Sequence, residues 1–174
     1  MASGLRAALV LMLLPLLLTG CGPFSSNGTD PCLLAQYQSR NQGYVRTIDS
    51  EFSSLASRTD ALNAHGPAID ATQDISETMA GLARFQTVLQ TQLALMNNDT
   101  APEGRHFQSL VREAAGQFNR GLWILTEAYA DARADPLTAN TLADAARDPI
   151  RQGRLLLAQA NREIAGIVKL SPNC

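Results

Sequence analysis

Histidine is the side chain that most often binds metals or acts as a general base near neutral pH, and this chain has two, His65 and His106. Glu103 and His106 form an E-x-x-H sequence, the spacing used by di-iron helical bundles. Such a centre needs a second copy and two further glutamates, yet Leu62 stands three places before His65. A Ser-His-Asp or Cys-His catalytic site needs its histidine in a cleft, whereas both of these fall near predicted helix ends. We therefore predict a protein that is not an enzyme and that has no catalytic residues, metal or cofactor.

A row of arginines at helical spacing is a second candidate for chemistry. Its members are Arg147, Arg151, Arg154 and Arg162. The row could form ion pairs with acidic residues of segment 127–135 on the preceding helix, where each exposed pair contributes ~0–1 kcal/mol. Alternatively, it could be an interaction face for an acidic partner or for anionic lipid. The sequence leaves both interpretations open.

The first twenty-one residues have the features of an export signal. Arg6 is a basic residue ahead of an apolar run over residues 7–18, which Pro15 interrupts. A run of this length spans only ~18 Å as a helix, against a hydrocarbon core of ~30 Å. It is therefore typical of a secretory signal peptide rather than of a membrane span.

The run ends in Leu18-Thr19-Gly20-Cys21, which resembles the lipobox of bacterial lipoproteins. The resemblance implies a signal peptide over residues 1–20 and a Cys21 that carries diacylglycerol and palmitate. Residues 21–30 would then be the lipidated cysteine and a flexible tether, with the acyl chains anchoring it at ~0.8 kcal/mol per buried CH₂. The implied location is the bacterial cell envelope, facing outside the cytoplasm. Because Gly22 rather than Asp follows the cysteine, the membrane would be the outer one in a bacterium with two.

With Cys21 lipidated, two of the three cysteines remain, Cys32 and Cys174. Export leads to an oxidising compartment, where such a pair favours a disulfide. The bridge would close a loop of about 140 residues, worth on the order of 5 kcal/mol in the chain-entropy model. The alternative is two unpaired thiols.

From Cys32 onward, apolar residues recur at steps of three and four, which indicates α-helices. The first helix is expected to start with Asp30 as N-cap and Pro31 at N1, and to stop at residues 63–67. The second covers residues 67–97 and keeps an apolar seam over four heptads. The seam consists of Thr72, Ile75, Met79, Leu82, Gln86, Leu89, Leu93 and Met96.

The third helix is expected to start at a capping box formed by Thr100 and Glu103 and to end near residues 135–136. The fourth segment has Pro149 within its apolar pattern. We predict a short helix from Thr141 to about Arg147, a break or kink near Pro149, and a long helix beyond it.

Long helices joined by short breaks predict an all-α fold, an up-down-up-down four-helix bundle, with residues 31–174 as its single domain. The start of the first helix and the end of the fourth then share one end of the bundle. This topology brings Cys32 and Cys174 together.

Polar residues interrupt the apolar stripes at Asn41, Thr59, Thr72 and Gln86. They could line a cavity, or they could fix the helix register and satisfy one another.

Glycines inside helices each cost up to ~1 kcal/mol against alanine, which predicts close helix approach at Gly81, Gly116, Gly121, Gly153 and Gly166. Trp123, Leu95 and Ile124 lie off the main stripes. They form either an exposed apolar patch or the edge of a wide buried face.

The 174 residues are 45% apolar with a net charge of −2, which argues against disorder and against nucleic-acid binding. We predict a lipid-anchored, extracytoplasmic helical bundle that acts by protein–protein interaction, as an accessory, adaptor or chaperone-like lipoprotein with an envelope protein as partner. The alternative is a ligand-binding bundle that holds a small apolar molecule, haem or a metal, suggested by the polar core positions and by Met79 and Met96.

Overall fold

The computed structural model describes residues 30–64, 72–132 and 134–167, and helices make up nearly all of these. The helices are α1 (Pro31–Ala64), α2 (Thr72–Asn98), α3 (Arg105–Asp131) and α4 (Pro136–Gly166), with a 3₁₀ turn at Pro102–Gly104 ahead of α3. No strand occurs in the described ranges, so the predicted all-α class is confirmed. None of the described helices is long and apolar enough to cross a bilayer.

Several sequence-based expectations concern residues outside these ranges. They are the signal peptide with Cys21 and the tether up to residue 29, the helix start near residue 67 with His65, and Cys174.

Asp30 caps α1 as predicted. Its Oδ1 accepts a hydrogen bond from the amide of Cys32 at 2.8 Å, and its carbonyl accepts one from the amide of Leu34. The capping box predicted at Thr100 is wrong. Ala101 is the N-cap of the turn before α3, without a side-chain capping bond, because the chain enters α3 through a 3₁₀ turn closed by the Gly104 amide on the Ala101 carbonyl.

The start predicted for α4 at Thr141 is also wrong. Asp135 caps this helix instead, since its Oδ1 accepts from the Thr138 amide at 3.1 Å and its Oδ2 accepts from the Thr138 hydroxyl at 2.7 Å. The helix continues through Pro149, so the predicted break is not found. Proline cannot donate to the carbonyl four residues earlier, but α4 tolerates that one loss because it packs more closely on α3 than any other two helices pack. A kink at Pro149 stays a prediction.

Three phenylalanines from three helices form the centre of the core. Phe52 of α1, Phe85 of α2 and Phe118 of α3 have ring centroids 5.0–5.6 Å apart, within the range that aromatic pairs prefer. The predicted seam of α2 is wrong at one position, because Gln86 is exposed while its neighbour Phe85 is 1% exposed. The rotation of α2 about its axis therefore places the Phe85 ring, rather than the Gln86 side chain, in the core.

The close approach predicted from the glycines is confirmed between α3 and α4. A Cβ on Gly121 would lie within 3.4 Å of the backbone carbonyl of Ala146, and one on Gly153 would lie 3.0 Å from the Phe118 ring. At Gly116 and Gly166 nothing lies within 4 Å, so the prediction is wrong there. Gly81 meets only ordinary contacts.

Contacts join α1 to α2, α2 to α3, α3 to α4 and α4 to α1, and the α2–α3 and α1–α4 interfaces are much sparser than the α3–α4 interface. One ion pair, Glu51–Arg84, joins the middle of α1 to the middle of α2. Other side-chain bonds link the early part of one helix to the late part of its neighbour or to the turn that follows it; these are Arg40–Asp99, Gln108–Met96, His106–Glu163 and Gln38–Ala165.

Candidate functional site

The loose packing of α1 against α4 leaves a groove that contains two adjoining cavities. The larger has a volume of about 410 Å³. It is lined by Val45, Arg46 and Asp49 of α1 and by Arg151, Arg154, Leu155, Leu157, Ala158 and Asn161 of α4.

The smaller cavity, of about 190 Å³, lies further along the same two helices. It is lined by Phe52, Leu55, Ala56, Thr59 and Asp60 of α1, Leu125 of α3, and Ala143, Arg147, Ile150, Arg151 and Arg154 of α4. Because Arg151 and Arg154 line both cavities, the two form one feature, which we call the α1–α4 groove.

Three of the four arginines singled out in the sequence line the groove. They are Arg147, Arg151 and Arg154. Arg147 and Arg151, however, bond to acidic residues of their own helix, Asp144 at 3.1 Å and Asp148 at 2.7 Å. An acid three residues earlier on the same helix is thus the described partner of each, and pairing with segment 127–135 stays a prediction because the side chain of Asp131 lies outside the described residues. Arg162 is exposed and does not line either cavity.

Arg154 reaches across the groove from α4 to α1. Its guanidinium carbon lies 5.3 Å from the centroid of the Phe52 ring, a cation–π contact worth ~0.5–1 kcal/mol at exposed sites. Phe52 is 3% exposed, so the arginine covers the edge of the aromatic core at the place where the two cavities meet.

The lining of the α1–α4 groove is positively charged. It includes four arginines and two aspartates, Asp49 and Asp60, on a chain whose net charge is −2. Within the described part of the chain, no ion pair joins Arg46 or Arg154 to a carboxylate. These two guanidinium groups are thus available to an acidic partner.

The mouth of the groove also exposes apolar surface. Leu155 is 58% exposed, whereas Leu157 is buried at 3%. Three successive leucines at 155–157 are spread over about 200° around the helix axis, so they cannot all face one core. Sequence reasoning missed Leu155 and Arg46 as candidate residues, and the triple leucine was the signal that could have indicated the first.

The described polar core residues divide between the two alternatives. Asn41, fully buried, donates from Nδ2 to the Tyr37 carbonyl at 2.9 Å and to Asp99 Oδ2 at 3.0 Å. Asp99 also accepts two bonds from Arg40, at 2.7 and 2.9 Å. These contacts join α1 to the turn after α2, as expected for Asn41 if the polar core residues fix the helix register.

Thr59 donates to the carbonyl of Ala56 on its own helix while lining the smaller cavity. Nothing is described of the side chain of Thr72.

Two buried tyrosines have raised pKa values. Burial, and next the charge of Asp60, raises the pKa of Tyr129 to about 12. Burial, and next the charge of Asp99, raises the pKa of Tyr37 to about 12. The Tyr129 hydroxyl has no hydrogen-bond partner in the described structure.

His106 lies on the surface between α3 and α4. Its Nδ1 is 2.6 Å from Glu163 Oε1, and its side chain is 62% exposed. Among the described residues, no group of three or more histidine, cysteine or acidic side chains is arranged to hold a metal ion.

The expected outer apolar residues separate. Ile124 packs partly against the core, whereas Trp123 is 66% exposed and Leu95 is 43% exposed. Cys32 is half-buried in the first turn of α1.

No protein-family model, curated protein or solved structure matches the chain. Function must therefore be inferred from the residues themselves, and the α1–α4 groove is the feature that best supports an inference.

Proposed function

We propose that this chain is a lipid-anchored, non-enzymatic helical-bundle lipoprotein of the bacterial cell envelope that binds a protein partner through the α1–α4 groove. The observation that carries the proposal is the juxtaposition of apolar cavities with Arg46 and Arg154. Apolar surface supplies affinity, and charged groups at its edge supply specificity and orientation. The role is that of an accessory, adaptor or chaperone-like component.

We propose an up-down-up-down arrangement of the four helices, with a kink at Pro149. Support for the arrangement comes from the ion pairs between α1 and the segment of α2 and its following turn, in which the partner's number falls as the number on α1 rises. Arg40 pairs with Asp99, Glu51 with Arg84, and Arg58 with Glu77.

The proposed anchor is Cys21, after removal of residues 1–20, in the outer membrane where the organism has two. Its support is the lipobox-like sequence ending at Cys21 and the polar character of residues 22–30. Nine such residues reach roughly 17 Å, so the bundle would stand away from its membrane. Cys21→Ser should yield a precursor that is soluble or unprocessed, and unchanged partitioning into detergent would refute the anchor.

We also propose a disulfide between Cys32 and Cys174. Its support is that export leads to an oxidising compartment, where a pair of cysteines favours a disulfide, and that the chain has three cysteines, Cys21, Cys32 and Cys174. With Cys21 lipidated, Cys174 is the remaining partner.

The experiment that tests groove binding is site-specific photocrosslinking in the intact cell envelope. Benzoylphenylalanine replaces Leu155, at the mouth of the groove, or Leu137, which is on the same helix and 78% exposed but lines neither cavity. Light should produce a discrete crosslinked product at position 155 and none at position 137. No product at either position, or equal products at both, would refute docking in the groove.

The second candidate function, a bundle that binds a small apolar ligand, draws support from the apolar lining of the same two cavities. Native mass spectrometry of the purified protein separates the two. A bound small molecule that disappears in a Leu157→Gln variant would favour ligand binding over protein docking.

A further inference from the structure

We infer that the occupant of the α1–α4 groove is an acidic amphipathic α-helix of the partner protein. Two large apolar side chains of that helix enter the two cavities, and an acidic side chain between them pairs with Arg154. This inference rests on the proposed use of the groove and adds the chemistry of the partner.

The spacing of the cavities fits one face of a helix. The residues lining the larger and the smaller cavity are centred roughly seven to ten positions apart on α1 and α4, which corresponds to ~10–15 Å along a helix. Side chains at i and i+7 or i+8 of a docked helix are separated by ~10.5–12 Å and share a face. One helical segment of about three turns therefore fills both cavities.

The walls of the groove favour a helix over an extended strand. Both walls, α1 and α4, are helices whose backbone amides and carbonyls bond within their own helix, apart from the carbonyl four residues before Pro149. A bound strand would find no backbone partners there and would leave its own polar groups unsatisfied. A helix satisfies its backbone internally and offers apolar anchors at helical spacing.

The charges of the groove place the acidic residue between the anchors. Arg154 lies where the cavities meet and has a cation–π contact but no carboxylate within the described chain. A carboxylate can bond a guanidinium through two parallel hydrogen bonds. Asp49 and Asp60 line one cavity each, and they disfavour acidic side chains on the two anchors themselves.

The test uses three fluorescent sixteen-residue helical peptides and the mature protein in phosphatidylcholine nanodiscs. The first peptide has two leucine anchors seven residues apart, with glutamates at the third and fourth positions after the first anchor. The second has lysines in place of those glutamates, and the third keeps the glutamates but has alanine anchors. Fluorescence anisotropy measures each affinity, and we expect the first peptide to bind at least tenfold more tightly than either of the others.

Variants of α4 supply the matched control. Arg154→Gln should weaken binding of the first peptide at least fivefold, whereas Arg162→Gln removes the same charge outside the groove and should leave it unchanged. Arg154→Lys keeps the charge but not the bidentate geometry. Its affinity for the first peptide should therefore lie between those of the parent protein and of Arg154→Gln. The urea midpoint of each variant confirms that the fold is retained.

The results that overturn the inference are equally specific. Equal affinities for the glutamate and lysine peptides, equal effects of Arg154→Gln and Arg162→Gln, or no binding of the first peptide would each refute an acidic helix. Tighter binding of palmitate, competing at the groove, would assign the site to an acyl chain instead. If the crosslink at position 155 forms but the first peptide does not bind, the groove binds another kind of partner and only this inference is refuted. If neither the crosslink forms nor the peptide binds, the proposed function is refuted as well.

Discussion

Substituting alanine for Gly153 and for Gly116 should change the free energy of unfolding in opposite directions. Gly153 of α4 faces Phe118, and a Cβ there would lie 3.0 and 3.1 Å from two ring carbons and 3.2 Å from the carbonyl oxygen of Ala114. The Phe118 ring is 1% exposed and touches the rings of Phe52 and Phe85, so it cannot swing aside. In Gly153→Ala, α4 must therefore shift away from α3.

The magnitude follows from two competing effects. Replacing a mid-helix glycine by alanine gains up to ~1 kcal/mol of helix propensity, whereas overpacking a filled core costs ~1–3 kcal/mol. We expect Gly153→Ala to lose about 1 kcal/mol. Gly116→Ala has nothing within 4 Å of the new Cβ, so it should gain most of the ~1 kcal/mol.

The assay is urea unfolding followed by circular dichroism, with both variants compared to the parent protein. The predicted difference of ~2 kcal/mol between them is a factor of about 30 in the folding equilibrium, and it should appear as midpoints displaced to opposite sides at constant slope. If both variants are stabilised equally, α3 and α4 do not approach each other at Gly153 as described. If Gly116→Ala is destabilised, the surface near that glycine is not open.

Three further predictions concern buried polar groups. Tyr129→Phe should leave the urea midpoint unchanged or raise stability by up to ~1 kcal/mol, because the hydroxyl has no partner in the described structure; a clear loss would show that it has one. The pKa values of Tyr37 and Tyr129 are raised from 10 to about 12, so their stabilising contribution is complete below pH 10 and is lost as pH rises towards 12. Urea midpoints over this range should fall less steeply in Tyr129→Phe, and a parallel decline would contradict the raised pKa. Asp99→Asn should cost ~1–3 kcal/mol, since Arg40 and the buried Asn41 both donate to that carboxylate, whereas Asp148→Asn, in an exposed pair, should cost under ~1 kcal/mol. Equal losses in urea unfolding would refute the tie between α1 and the turn after α2.

Local sequence signals predicted the parts of the fold that depend on few residues. Asp30 followed by Pro31 gave the start of α1, because a capping side chain and a proline act within one turn. Aspartate and proline recur at Asp135 and Pro136, and the same reasoning applied there would have found the start of α4. The prediction placed the start at Thr141 instead. It also expected Pro149 to break the helix, an effect that packing against α3 overrides.

The sequence predicted the α4 side of the candidate site but not the α1 side. The arginine row can be found by spacing along one helix, so three of the four arginines of the groove were named. Phe52 under Arg154, and Arg46 on the opposite wall, belong to another helix, and only the packing of α1 on α4 brings them together. The choice of Gln86 over Phe85 in the seam failed for a similar reason, since the aromatic cluster depends on three helices at once.

Whether the bundle is tethered to a membrane is tested by the intact mass of the native protein extracted from membranes, measured with and without reduction. We predict a chain that starts at Cys21, carries diacylglyceryl and palmitoyl groups, and gains two hydrogens on reduction as the bridge between Cys32 and Cys174 opens. A chain that keeps residues 1–20, lacks lipid, or has the same mass before and after reduction would contradict this prediction.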